Sequence, residues 1–212
     1  MAEPCEPGRR TTELGGDTQI IDTQTIDTQT IKPAIGVISD THGYLDPVVL
    51  ERFACVAHII HAGDVVDPAI IVALESVAPV TAVAGNLDDG ELGERLPREV
   101  RGVAAGVRFV VGHKPKRLLK RLNTGKIDGP RPDLVVWGHT HIPSAAWVDG
   151  ALYLNPGTAS SPDEEDDGPS VAVVEVEPTG LAVRFIPLER RRTADADMEW
   201  SGRTAANARS RP

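Results

Sequence analysis

Two cysteines in 212 residues, an aromatic fraction of 4% and the lack of any long apolar run set the first limits on this chain. Cys5 lies in a polar stretch and Cys55 inside a predicted amphipathic helix, so a structural disulfide is not expected. A membrane span needs about 20 consecutive apolar residues, and no run approaches that length. The opening Met1 to Glu6 shows no basic segment followed by an apolar stretch, so no secretory signal is expected and the cytoplasm is the expected compartment. Positive charge is also short: 22 Lys and Arg against 31 Asp and Glu leave a formal charge of -9. Such a chain should repel a nucleic-acid backbone, except where bound metal reverses the local field.

What remains fits one domain of ordinary size. Residues 1–33 are polar and carry a small repeat, Ile-Asp-Thr-Gln-Thr from Ile21 and again from Ile26; they read as a disordered tail, against an added edge strand. Residues 189–212, rich in Arg, Ala and Ser, read as a second disordered tail. Between them, residues 34–188 alternate: strand Ala34 to Ser39, helix Pro47 to Ala57, strand His58 to Ala62, helix Pro68 to Val77, strand Val80 to Ala84. That order predicts parallel pairing through crossovers. A hairpin of Val100 to Ala104 with Val107 to Val111 follows, then a short basic helix Lys116 to Leu122, a loop Asn123 to Pro132 and a strand Leu134 to Trp137. Asp149-Gly150 and Thr179-Gly180 mark two late hairpins, Ser144 to Val148 with Ala151 to Leu154 and Ser170 to Glu177 with Leu181 to Pro187. Two packed sheets flanked by helices suit this mixture. Asp88 to Pro97 reads as a loop, and the acidic run Asp163 to Asp167 as a solvated one.

Five motifs then appear in one order: Ser39-Asp40-Thr41-His42, Gly63-Asp64, Gly85-Asn86-Leu87-Asp88, Gly112-His113 and Gly138-His139-Thr140-His141. Most follow an aliphatic or β-branched run, where strands end and ligands gather in α/β sheets. In Asp40-x-His42 and His139-x-His141 the two side chains are spaced to face one way along an extended loop. Asp64 offers a carboxylate able to bridge two cations, and Asn86 a neutral amide oxygen. Taken singly each motif is weak, since Gly-Asn alone is a turn signal. As a set they hold four of the six histidines and no cysteine. Mixed carboxylate, amide and imidazole ligation suits Mn, Fe or Zn and disfavours a thiolate-rich structural zinc. A metal-dependent hydrolase is the expectation.

With those residues in view, the chain resembles the calcineurin-like metallophosphoesterase superfamily, whose signature is Asp-x-His, Gly-Asp, Gly-Asn-x-Asp/Glu, a lone His and Gly-His-x-His. It is most similar to the small bacterial YfcE-like phosphodiesterase branch, related to the retromer scaffold subunit; the likeness spans about Ala34 to Pro187 and includes Asn155-Pro156-Gly157-Thr158. The resemblance implies an α/β fold, a four-layer αββα sandwich of two mixed β-sheets flanked by helices. It also implies two divalent metal ions, Mn2+ first, with Fe, Zn or Ni as alternatives. Carried over by position, it assigns Asp40, His42 and His141 to one metal, Asn86, His113 and His139 to the other, and Asp64 to both. Asp64, Asn86 and His113 then stand in the catalytic set. The implied reaction is attack on a phosphodiester by a hydroxide held between the metals. A phosphomonoesterase or nucleotidase and a weakly active protein-binding scaffold of the same fold are the alternatives.

The chain departs from many superfamily enzymes in having Leu87 where a histidine follows Gly-Asn. Without that proton donor an alkoxide is harder to expel, which predicts phosphodiesters or activated aryl esters over alkyl monoesters. Because histidines bind metal only when neutral, activity is expected to fall below about pH 6.5. Among the neighbours, Asp88 is expected to hydrogen-bond a ligating histidine, and Asp67 to cap the helix that starts at Pro68. His58 and His61 suit packing or hydrogen bonding, and Thr41 and Thr140 suit bracing of their loops. Asn86 and Lys114 are candidates for contact with a small phosphoester substrate; Lys114 and Lys116 also read as a solvated surface. A homo-oligomer is left open.

Overall fold

In a computed structural model the described residues are 33–160 and 168–189. Apart from Pro33 and Glu189, both expected tails lie outside them, as does the acidic run Asp163 to Asp167. In chain order the elements are β1 (Ala34–Ile38), α1 (Pro47–Arg52), β2 (His58–His61), α2 (Pro68–Glu75), β3 (Val80–Ala82), α3 (Gly90–Arg95), β4 (Glu99–Ala104), β5 (Val107–Gly112), α4 (Pro115–Asn123), β6 (Leu134–Val136), β7 (Ser144–Val148), β8 (Ala151–Asn155), β9 (Ser170–Glu177) and β10 (Gly180–Pro187). They form two five-stranded sheets, ordered β10-β9-β1-β2-β3 and β4-β5-β6-β8-β7. Both are mixed: β1, β2 and β3 run parallel, as do β5, β6 and β8, while hairpin partners pair antiparallel.

Side-chain alternation along each strand builds the layers. Ile35 and Val37 of β1, with Ala172 and Val174 of β9, meet Phe109 and Val111 of β5, Leu134 and Val136 of β6, and Leu152 and Leu154 of β8 in a core between the sheets. The intervening Ala34 and Ile38 face outward onto Val49, Phe53, Ile70 and Leu74 of the α1 and α2 region. On the far side Val110 and Val135 pack on Leu118 of α4. The result is the expected four-layer sandwich. Gly36 leaves room for Phe53, since a β-carbon there would come within 2.9 Å of the ring.

Caps explain where helices start. Asp46 and Asp67 accept hydrogen bonds from Val48 N-H and Ala69 N-H, each ahead of a proline at the first turn. Asp67 is therefore the cap expected from the sequence. The helix α3 differs from expectation, which gave a loop over Asp88 to Pro97. Its two glycines and the lack of a side-chain cap hide it from propensity. Leu92 and Leu96 packing on the outer core, with a Glu91–Arg95 pair at 3.6 Å, hold it in place.

Candidate metal centre

Asp40 and His42 follow β1, Asp64 follows β2, Asn86 follows β3, His113 follows β5, and His139 and His141 follow β6. The carboxyl ends of parallel strands from both sheets meet at one rim. His113 Nδ1, from one sheet, lies 2.9 Å from the Ala62 carbonyl of the other, and His139 N-H donates to Asp40 Oδ2 at 3.0 Å.

Five of these seven residues hold left-handed backbone: Asp40 (φ 53°), His42 (47°), Asp64 (54°), His139 (68°) and His141 (59°). Such a conformation costs a non-glycine residue about 1–2 kcal/mol. Cross-loop hydrogen bonds enforce it, among them Asp40 N-H to Gly63 O at 3.0 Å, His42 N-H to Asp64 O at 3.0 Å and Ala159 N-H to Ser39 O at 2.9 Å. Gly85 and Gly138 permit the approach. A β-carbon on Gly85 would collide with the Asp64 carboxylate, and one on Gly138 with Ser39 Oγ and Asp40 Oδ2.

Each carboxylate has one oxygen fixed by the protein and one turned to the histidines. Asp40 Oδ2 accepts from Ser39 Oγ-H at 2.6 Å and from His139 N-H, whereas Oδ1 lies 3.8 Å from His42 Nε2 and 3.5 Å from His141 Nε2. Asp64 Oδ1 accepts from Leu87 N-H at 2.8 Å, whereas Oδ2 lies 3.7 Å from His42 Nε2 and 3.3 Å from His113 Nε2. Asn86 Oδ1 is 3.0 Å from His113 Nε2, and the His113 and His139 rings stand 5.1 Å apart, edge to face. Two groups have metal-binding spacing, with ligand atoms within 4.8 Å of one another: Asp40, His42, His141 and Asp40, Asp64, His113. Asp40 thus belongs to both groups, although the resemblance gave only Asp64 a shared role. Asn86 and the exposed His139 approach the second group through His113 rather than through a carboxylate.

The donor set fits divalent cations. Asp40 Oδ1 and His42 Nε2 are buried without a hydrogen-bond partner. With its Nδ1-H donated to Ala62 O, neutral His113 points the Nε2 lone pair at two oxygens, Asn86 Oδ1 and Asp64 Oδ2. Lone pairs converge in this way around a proton or a cation, and a backbone carbonyl on the far nitrogen is the usual support of a ligating histidine.

Electrostatics agree. Burial pushes the Asp40 and Asp64 carboxyls up, but the polar groups facing them outweigh it, His141, His42 and Ser39 for Asp40 and His113, His42 and Leu87 N-H for Asp64. Both carboxyls are held well below the ordinary range. The same carboxylates raise His42 to about 9 against a burial effect of opposite sign. Burial pulls His113 down, yet Asp64 and Asp40 leave it raised overall. His139 is lowered by burial, by His113 and by the Lys114 charge nearby. The cavity favours positive charge.

Two sequence expectations are corrected: with left-handed backbone at all four residues, Asp40-x-His42 and His139-x-His141 are not extended loops, and Asp88 has other partners. Asp88 does not bond a histidine: its two oxygens accept from Val66 N-H at 2.7 Å and Gly85 N-H at 2.8 Å, tying together the loops that carry Asp64 and Asn86. Of the candidate ligands, His113 has the backbone carbonyl of Ala62 on its Nδ1 instead. Lys114 sits at the N-cap position of α4, and both it and Lys116 are exposed. His58 bonds Thr81 Oγ1 at 2.8 Å. His61 is fully buried; its Nδ1 accepts Gly63 N-H, so Nε2-H donates to Thr41 Oγ1, whose hydroxyl reaches the carbonyls of Asp64 and Val65. Sequence reasoning assigned no role to Asn155 or Thr158. Asn155 Nδ2 donates to Gly138 O and Thr140 Oγ1, and Thr158 Oγ1 donates to Asp40 O at 2.9 Å, so this turn clamps two ligand loops. The Asn-Pro-Gly turn signature was the available signal.

Comparison with known proteins agrees with this geometry. A family profile described as a calcineurin-like phosphoesterase superfamily domain matches residues 34–179. A probable metallophosphoesterase of Methanocaldococcus jannaschii is 40% identical over 135 residues, covering 60% of this chain and 69% of the relative. Another from Methanothermobacter thermautotrophicus is 33% identical over 165 residues, covering 72% and 91%. The crystal structure of a predicted phosphoesterase from Streptococcus pneumoniae superposes with a TM-score of 0.59 at 23% identity, covering 74% of this chain and 90% of that one. At that identity the likeness is one of fold.

Proposed function

The chain belongs to the calcineurin-like phosphoesterase superfamily, and from that membership we propose that it is a phosphodiesterase working with two divalent cations, Mn2+ first among them. Residues 34–188 are the catalytic unit. Asp40, His42 and His141 would hold one cation, Asn86, His113 and His139 the other, and Asp64 would serve both. The observation that carries this reading is the free Asp64 oxygen, Oδ2, set 3.7 Å from His42 and 3.3 Å from His113, one histidine from each side of the centre. Divalent cations held by these residues would supply Lewis-acid chemistry, acidifying water and offsetting charge on the phosphate oxygens.

The protein's own side chains then position and discriminate. Asn86 and Lys114, both exposed, face substrate with a neutral and a cationic group. Ser39 and the Asn155 to Thr158 turn keep Asp40 and the His139 loop in place. Leu87 follows Asn86 and has no proton to give a departing oxygen, so leaving groups that depart as stable anions are favoured. A Mn2+-loaded preparation should hydrolyse a bis-aryl phosphodiester at least roughly 100-fold faster than a simple alkyl monoester. Faster turnover of the alkyl monoester overturns the diester assignment, and no turnover of either favours the scaffold reading.

A further inference from the structure

Eight large apolar side chains are exposed among the described residues, and three stand within two residues of proposed ligands: Val66 two after Asp64, Leu87 next to Asn86 and Ile142 next to His141, at 45%, 50% and 57% exposure. The loops that carry them adjoin one another around the centre. Leu87 N-H donates to Asp64 Oδ1 at 2.8 Å and Val66 N-H to Asp88 Oδ1 at 2.7 Å, which ties the first two loops side by side. Val66 Cγ1 covers Gly43, next to His42. The His42 ring lies 5.1 Å from that of His141, the chain neighbour of Ile142. Beside them the chemistry changes, since the exposed Lys114 follows His113, whose ring stands 5.1 Å from that of His139.

Val66 adds a second observation. Its φ is 68°, a left-handed backbone that a β-branched residue rarely adopts. No core packing compensates for it, because the side chain is nearly half exposed. Strain of this kind at an exposed loop beside a site points to function.

We propose that Val66, Leu87 and Ile142 form an apolar rim that binds an aromatic or other nonpolar arm of the phosphodiester substrate. The inference rests on the phosphodiesterase reading above and narrows its substrate class. Burying such an arm takes it and the rim out of water together, and three side chains without a donor or acceptor offer nothing to a charged or hydroxylated arm. The same contact suits a chain in which leucine replaces a proton donor, because an aryl oxygen leaves without one.

Two symmetric, uncleavable anions test this: diphenylphosphinate and dimethylphosphinate, each titrated into Mn2+-loaded protein by calorimetry. The diphenyl compound is expected to bind at least roughly tenfold tighter. Leu87→Asn and Ile142→Asn should reduce that ratio several-fold, while Leu87→Met should keep it. A ratio near one in the wild type, or a ratio indifferent to all three substitutions, overturns the rim and leaves the hydrolase reading intact. If neither anion binds and no diester is turned over, the hydrolase reading fails and takes the rim with it.

Discussion

At the scale of single residues, Asp64 carries the most chemistry per atom. Its Oδ1 is committed to the Leu87 amide, which leaves Oδ2 to face both His42 and His113. In Asp64→Asn the amide oxygen keeps the Leu87 bond and the NH2 group turns toward the histidines, placing a donor where a lone pair is needed. That variant should lose affinity for both cations by at least roughly tenfold, whereas His42→Ala should weaken only one site. Elemental analysis after dialysis separates the outcomes, and full occupancy in Asp64→Asn would refute the shared role. Sequence motifs name the seven ligand candidates and, in Thr41 and Thr140, two of the residues that brace their loops, but not Asn155 or Thr158. Asp88 was sought at a histidine and found on two backbone amides, because which partner an aspartate takes depends on loops distant in sequence, here Val66 and Gly85.

At the scale of elements, α4 links packing to the site. It begins two residues after His113, and its Leu118 is buried against Val110 and Val135. A β-carbon on Gly112 would lie 3.1 Å from Leu118 Cδ1, so this leucine also lies under the residue preceding His113. Leu118→Ala should cost about 2–5 kcal/mol of stability, read by urea denaturation, and should weaken the second cation site together with it. Unchanged stability would mean that α4 is not anchored there. Elements with strong local signals were legible: α2 through Asp67-Pro68, and the hairpin β7–β8 through Asp149-Gly150. The helix α3 was not, because Gly90 and Gly93 disfavour a helix and only burial of Leu92 and Leu96 against other elements forms it. Sheet order was equally hidden, since the pairing of β1 with β9 joins residues far apart in the chain.

At the scale of the whole molecule, two histidines set opposite limits on stability. Burial lowers His61 to about 4, so acidification from pH 6.5 toward 4 favours the unfolded chain, which takes up that proton more readily. Asp40 and Asp64 raise His42 to about 9. Its contribution is complete below pH 6.5 and lost as pH rises toward 9. Protein stripped of metal should therefore melt highest near pH 6.5, with Tm falling on either side by roughly 3 °C per pH unit. Saturating Mn2+ should remove the alkaline fall, since a cation replaces the His42 proton. Calorimetry across that range with chelator and with metal checks this; a chelated protein with flat Tm from pH 6.5 to 9 would contradict it. The position of β1 bears on synthesis as well. As the first described strand, it sits mid-sheet between β2 and β9, and the turn that clamps Asp40 lies beyond residue 154. A growing polypeptide thus presents β1 with a bare edge until β9 clears the ribosome. The clamp on Asp40 can therefore close only after translation has passed every candidate ligand of the proposed centre.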